Sequence, residues 1–272
     1  MGTELRVRLT TLAAPGPLLE LAQPYPDLKS CWNACQSPEL LLWLAARLST
    51  TPAERRAVVA CLAELTRRAE RGTRHLNPRV EQASVTAETW ARAGASLDDL
   101  LAAERAALEA AASAAAAAAE EMARARALFR SAPRSRPASF SNSRAFSALA
   151  DWREADRARR LALAAAGTAR AAAEAARADA GGAIVGGANA RGAIVGGANA
   201  GGAIVGGAIV GGDVQAPAQP DAGPGNWEAS VGESASYLIS ALAHSRPARR
   251  DQRAERKAAK LVRRRLPCPT FD

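Results

Sequence analysis

Alanine is what most constrains this chain. Two stretches, about 97–130 and about 144–180, are dominated by it, and a tract from Ala110 to Ala119 is broken only by Ser113. Alanine has the highest helix propensity, so both stretches are expected to be long helices, each about 50 Å at the usual rise per residue. The loop between them is rich in Ser, Pro and Arg and spans Ser131 to Ser143. Two helices of similar length on a short loop fold back antiparallel, which places Leu128 and Phe129 beside Phe146 and Leu149. Small side chains let the two axes approach closely. Hydrophobic residues make up 48% of the chain but aromatics only 4%. The fold class that follows is all-α: a helical bundle with a thin core and a long Ala-rich antiparallel hairpin.

Shorter helices announce themselves by their caps. Ser37-Pro38-Glu39 supplies an N-cap, a first-turn proline and an acid at the positive end of the dipole, opening a helix to about Leu48. Thr51-Pro52-Ala53-Glu54 is a capping box, followed by Val58, Val59, Leu62 and Leu65 at helical spacing and by Arg67, Arg68 and Arg71 before Gly72. Pro78 precedes a helix carrying Val80, Ala83, Ala87 and Trp90 that stops at Gly94, and Ser96-Leu97-Asp98-Asp99 caps the first long one. Residues 1–30, with Pro15, Pro17, Pro24 and Pro26, read as a Pro-rich lead-in, extended or a small hairpin with one short helix.

After the main helical domain, 31–180, the composition changes to a GGAIV/GGANA repeat ending at Gly212, followed by a linker to about Asn226. Its glycine content makes a helix costly, and a period of five matches neither a helix face nor a strand face. Residues 181–226 are therefore expected to be a disordered Gly-rich insertion. GxxxG spacings occur there, but Asn189, Asn199 and Arg191 argue against a membrane span. Helical character resumes over Trp227–Ala243 and again over a last, basic helix, Arg249–Leu266, ended by Pro267.

Charge is concentrated in that last helix. The chain carries a net charge of +9. The run Arg246–Leu266 holds ten cations against Asp251 and Glu255, so it accounts for nearly all of it. Arginine in place of lysine is what a GC-rich bacterial genome favours, so its abundance alone says little about nucleic acid. A nucleic-acid reading would use Arg249, Arg250, Arg253, Arg256 and Lys257, together with Lys260, Arg263, Arg264 and Arg265. No aromatics interleave them. Ala254, Ala258, Leu261, Val262 and Leu266 recur at i, i+4, i+7, i+8 and i+12, so docking of one face on the bundle is the favoured reading.

Catalytic and cofactor signals are sparse. Cys31 and Cys35 lie a helical turn apart and Cys61 could approach them, but the spacing is not that of a zinc site, and buried thiols are expected. His75 and His244 have no ligand-like spacing, and no hydroxyl, histidine and carboxylate set can be singled out. The pairs Asp98-Asp99 and Glu120-Glu121 read as cap and solvated-face residues. The chain has no phosphate-loop motif, so no cofactor and no metal is expected. Pro15, Gly16, Pro17 and Glu20 interrupt the opening apolar stretch, which is a poor signal peptide, and reduced thiols in the cytoplasm are the expectation.

Cys31-Trp32-Asn33-Ala34-Cys35 leads into Leu41-Leu42-Trp43-Leu44-Ala45, then Pro78-Arg79-Val80-Glu81, then Glu88-Thr89-Trp90-Ala91-Arg92-Ala93-Gly94-Ala95-Ser96-Leu97 before the alanine-dominated helix. This succession resembles the bacterial immunity proteins assigned from polymorphic-toxin gene neighbourhoods. The resemblance covers roughly residues 30–180, and Ala259-Lys260-Leu261-Val262-Arg263 to Pro267 is similar to that family's last helix. The first 30 residues, the Ser/Arg loop and the GGAIV insertion depart from the pattern. The resemblance implies a cytoplasmic, non-enzymatic helical protein that neutralises a cognate toxin by stoichiometric binding. It brings no binding residues with it, and the matching Trp and Leu positions are expected in the core.

Overall fold

The computed structural model describes residues 3–71, 73, 77–92, 94–131, 138–187, 227–243 and 248–271. Ten helices and no strand occur among the described residues: α1 (Thr3–Thr11), α2 (Gly16–Ala22), α3 (Leu28–Ala34), α4 (Pro38–Leu48), α5 (Pro52–Glu70), α6 (Pro78–Ala91), α7 (Leu97–Ser131), α8 (Ala138–Gly187), α9 (Trp227–Ala243) and α10 (Ala248–Arg265). The fold is all-α, as the alanine content dictates.

The local caps form as their chemistry requires. Ser37 Oγ accepts from Leu40 N at 3.3 Å. At the head of α5, Glu54 N donates to Thr51 Oγ1 at 3.3 Å while Thr51 N donates to Glu54 Oε2 at 3.0 Å, a reciprocal box. Asn77 caps α6 by accepting from Arg79 N at 3.0 Å. Before α7, Asp99 N donates to Ser96 Oγ at 3.1 Å and Ser96 N to Asp99 Oδ2 at 3.0 Å.

The first 30 residues are not an extended lead-in. Their prolines stand where helices accept them: Pro15 caps α2, Pro17 lies in its first turn, and Pro24 and Pro26 fall between α2 and α3. Asp27 caps α3 by accepting from Ser30 N at 2.8 Å. Leu5, Leu9 and Leu18 are buried in the same core as Trp32, Leu42, Leu62, Leu161, Leu238 and Val262. One contiguous hydrophobic core thus joins the N-terminal helices, α4, α5, the later part of α8, α9 and α10.

The long hairpin has the expected direction. Arg170 on α8 meets Glu104 on α7 at 2.7 Å. Near the other end Phe129 and Phe146 stack edge to face at 6.5 Å between centroids. The reversed order of these pairs makes α7 and α8 antiparallel. Between them and α6 lies a second core cluster in which every buried residue except Val80 is alanine, including Ala107 and Ala110 of α7 and Ala165 and Ala169 of α8. With alanine methyl groups making up most of the interface, the helices approach closely, and attraction comes from many short contacts. α8 is longer than expected, running from Ala138 to Gly187, because a formed helix adds one hydrogen bond per residue and absorbs the glycine cost of its last turns. The remainder of the expected insertion, 188–226, lies outside the described residues, as do 132–137 of the Ser/Arg loop.

Trp32 and Trp90 are buried, as are Leu41, Leu42 and Leu44, so these positions of the resemblance are core. No helix among the described residues is long and apolar enough to cross a membrane.

Candidate functional site

α10 lies against α4, α5 and α9 and divides its cations into two sets. Ala258, Ala259, Leu261, Val262 and Leu266 are buried, which is the amphipathic docking that the spacing demands. On the docked side Arg263 donates to the Cys35 carbonyl. Arg265 donates through Nε to Glu64 Oε2 at 2.7 Å. Arg253, Arg256, Lys257, Lys260 and Arg264 are exposed and form no ion pair with a described residue. The side chains of Arg249 and Arg250 lie outside the described residues.

Where Arg265 comes down on α5, a groove of about 520 Å³ opens between α5, α6 and α10. Its charged walls carry five arginines, Arg67, Arg68, Arg71, Arg92 and Arg265, and two glutamates, Glu64 and Glu88. Each glutamate bridges two arginines. Glu64 accepts from Arg68 Nη2 at 2.6 Å as well as from Arg265. Glu88 accepts from Arg67 Nη1 at 2.7 Å and from Arg92. Burial pushes the Glu64 carboxyl up, but the hydrogen bonds and charges of Arg265 and Arg68 outweigh it and hold the group below its ordinary value. Exposed pairs of this kind contribute little to stability. Their effect is to place four guanidiniums from three helices along one groove.

Helix periodicity explains the placement. Glu64 and Arg68, and likewise Glu88 and Arg92, stand at i, i+4 and so share a face. Arg67 and Arg71 repeat the spacing three positions on from the Glu64–Arg68 pair. Ala57 and Ala60 bring an apolar part to the lining. Cys61 also lines the groove, and burial, helped by Glu64, pushes its thiol up to about 12, so it is not a thiolate nucleophile at neutral pH.

Sequence reasoning singled out Arg265 but not Arg67, Arg68, Arg71, Arg92, Glu64 or Glu88 as site residues. The i, i+4 Glu–Arg pairs were the available signal. The pairing of Arg265 with Glu64, separated by 201 positions, left none in the sequence.

Apart from Cys61, the other candidates stay away from this groove. Cys31, Cys35 and Cys61 are buried and free, and burial raises each thiol, Cys31 to about 11. Among the described residues no group of three or more His, Cys, Asp or Glu side chains could hold a metal ion. His75 and His244 lie outside the described residues. A second groove, of about 480 Å³, runs between α6 and α7; its one carboxylate, Asp99, is engaged by Ser96. Comparison with protein-family models, with curated proteins and with solved structures finds no match to this chain.

Proposed function

We propose that this chain is a non-enzymatic cytoplasmic protein that acts by stoichiometric binding, and that its partner is a toxin which it neutralises. The toxin assignment rests on the resemblance of residues 30–180 to immunity proteins. The binding assignment rests on one observation, the α5/α6/α10 groove, where fixed guanidiniums on three packed helices form a charged recognition surface. Ordered arginines on rigid elements favour recognition, because less side-chain freedom is lost when a partner arrives. Co-expression with the product of each adjacent reading frame tests the reading. A neighbour that is toxic alone, harmless with this chain and co-purified with it in a fixed ratio is the expected result. Toxicity unaffected by this chain for every neighbour would overturn it.

A second reading is carried by the outward face of α10. Arg253, Arg256, Lys257, Lys260 and Arg264 present five exposed cations on one helix, which suits phosphate contacts to nucleic acid. Binding through these five would fall steeply with salt, by a slope of about −0.9 per phosphate neutralised on duplex DNA. Retention of nucleic acid unchanged after removal of residues 248–272 would overturn this second reading.

A further inference from the structure

We propose that the α5/α6/α10 groove binds a carboxylate-rich segment of a protein partner, with Arg67, Arg68, Arg71, Arg92 and Arg265 as the recognising groups. The inference deepens the binding reading above and rests on it only for the partner being a protein.

The charge balance of the groove sets the sign of its occupant. Five guanidiniums against two carboxylates leave three positive charges in about 520 Å³. A cleft with low-dielectric walls and one excess sign concentrates its field on an incoming counter-ion. Each guanidinium has five N–H donors in a planar fork. The bonds to Glu64 and Glu88 engage only part of each fork. Arg71, the fifth, lines the same groove and makes no ion pair with a described residue. Carboxylate oxygens are the natural acceptors for such forks, through charge-assisted and frequently bidentate bonds.

The lining also chooses between anionic polymers. None of its residues is aromatic, so bases would have nothing to stack on. Glu64 and Glu88 stand along the walls and repel a strand that bears a charge at every phosphate. A peptide can place its acids opposite Arg68, Arg71 and Arg92 and set uncharged residues against the glutamates, with Ala57 and Ala60 in contact with its methylene groups. Arg265 comes from α10, so the groove is complete only when the last helix is docked.

The test is a titration of the full chain with a fluorescent peptide of about ten residues in which glutamates alternate with alanines, read by anisotropy at about 0.15 M salt. Saturable binding is expected, weakened about tenfold or more by the double change Arg68→Glu and Arg92→Glu. Both side chains are substantially exposed, so the fold is expected to survive, and an unchanged urea midpoint confirms it. The milder pair Arg68→Gln and Arg92→Gln is expected to lose about threefold. The control pair Arg256→Glu and Lys260→Glu, on the outward face of α10, should leave affinity within about twofold. Absence of saturable binding would overturn the proposal. So would an equal loss from the control pair, which would show that the peptide reads overall charge. A single-stranded DNA of about 20 nucleotides that binds more tightly than the peptide, through the same Arg68 and Arg92, would assign the groove to nucleic acid instead. The titration needs no toxin: its failure removes the groove assignment while leaving co-purification to stand, and failed co-purification with peptide binding intact does the reverse.

Discussion

Gly167 of α8 stands so close to Ser234 of α9 that a Cβ at Gly167 would lie 2.8 Å from Ser234 Cβ and 3.1 Å from its Cα. The approach brings three helices within reach of one polar ladder. Thr168 Oγ1 donates to the Ala164 carbonyl at 2.7 Å and lies 3.0 Å from Ser234 Oγ and 3.4 Å from Thr66 Oγ1. All three hydroxyls are buried. Each also meets a backbone carbonyl, so the ladder joins α5, α8 and α9 without leaving a hydroxyl unsatisfied.

Gly167→Ala therefore opposes two effects. Alanine favours the helix interior by about 1 kcal/mol, but the contact is with backbone and Cβ atoms that cannot swing away, and overpacking costs about 1–3 kcal/mol. Close packing should win. The expected outcome is a net loss of about 1 kcal/mol, read as a lower urea midpoint at unchanged slope. A raised midpoint would show that α9 moves aside freely.

Ala13 invites the opposite change. It ends α1 with φ 56°, the left-handed conformation, while Ala14 N donates to the Leu9 carbonyl at 3.0 Å in a Schellman arrangement. A side chain there costs about 1–2 kcal/mol, which glycine avoids. Glycine also loses more freedom on folding. Ala13→Gly is expected to stabilise the chain by about 0.5–1 kcal/mol, measured as a rise in urea midpoint. A drop would mean that the freedom glycine loses on folding outweighs the strain it relieves at this position, and an unchanged midpoint that α1 lies outside the cooperative unit.

What was legible in the sequence was what is local in the chain. Ser37, Thr51 and Glu54 act within three or four residues, so their caps could be read directly. Phe129 and Phe146 could be paired because a short loop joins two helices of fixed rise. The helices of the first 30 residues were hidden by their prolines, since composition does not distinguish a proline inside a helix from one at its first turn. The groove was hidden for a different reason. Arg67, Arg68 and Arg71 look like ordinary dipole-complementing residues at a helix end, and only the docking of α10 brings Arg265 to Glu64.

Glu70 gives the fold a pH dependence of definite sign. The side chain is buried, accepts from Ser84 Oγ at 2.7 Å, and faces Glu81 and Arg67. Burial raises its carboxyl above the ordinary value, against the pull of the Ser84 hydrogen bond. A raised folded value means that the folded state holds the proton longer than the unfolded state does. The stabilising contribution is then complete below the ordinary carboxylate range, near about 4.3, and is lost as pH rises through the folded value. Glu70→Gln keeps an acceptor for Ser84 and removes the charge. It should raise the urea midpoint at neutral pH, with the gain shrinking as the buffer is taken down toward the acid range. A gain that persists unchanged into acid would point to a cause other than ionisation.

The thiols supply the last test, because their order of reactivity reports how firmly each part of the core is closed. Cys31 and Cys61 are held up to about 11 and about 12 by burial, so at pH 8 fewer than about one in a thousand is a thiolate, against about a quarter of ordinary thiols. Cys35 is also raised and buried, whereas Cys268 is only half-buried. A thiol-specific reagent at pH 8 is expected to label Cys268 first and to reach Cys31, Cys35 and Cys61 only after urea unfolds the chain. The same shifts have a stability consequence of fixed sign. Thiols raised in the folded state contribute fully below the ordinary thiol value, about 8.5, and the contribution falls as pH rises toward 11 and 12. Early labelling of Cys61 in the native chain would show that the lining of the arginine groove opens between α5 and α10, and that Arg265 leaves Glu64 without global unfolding.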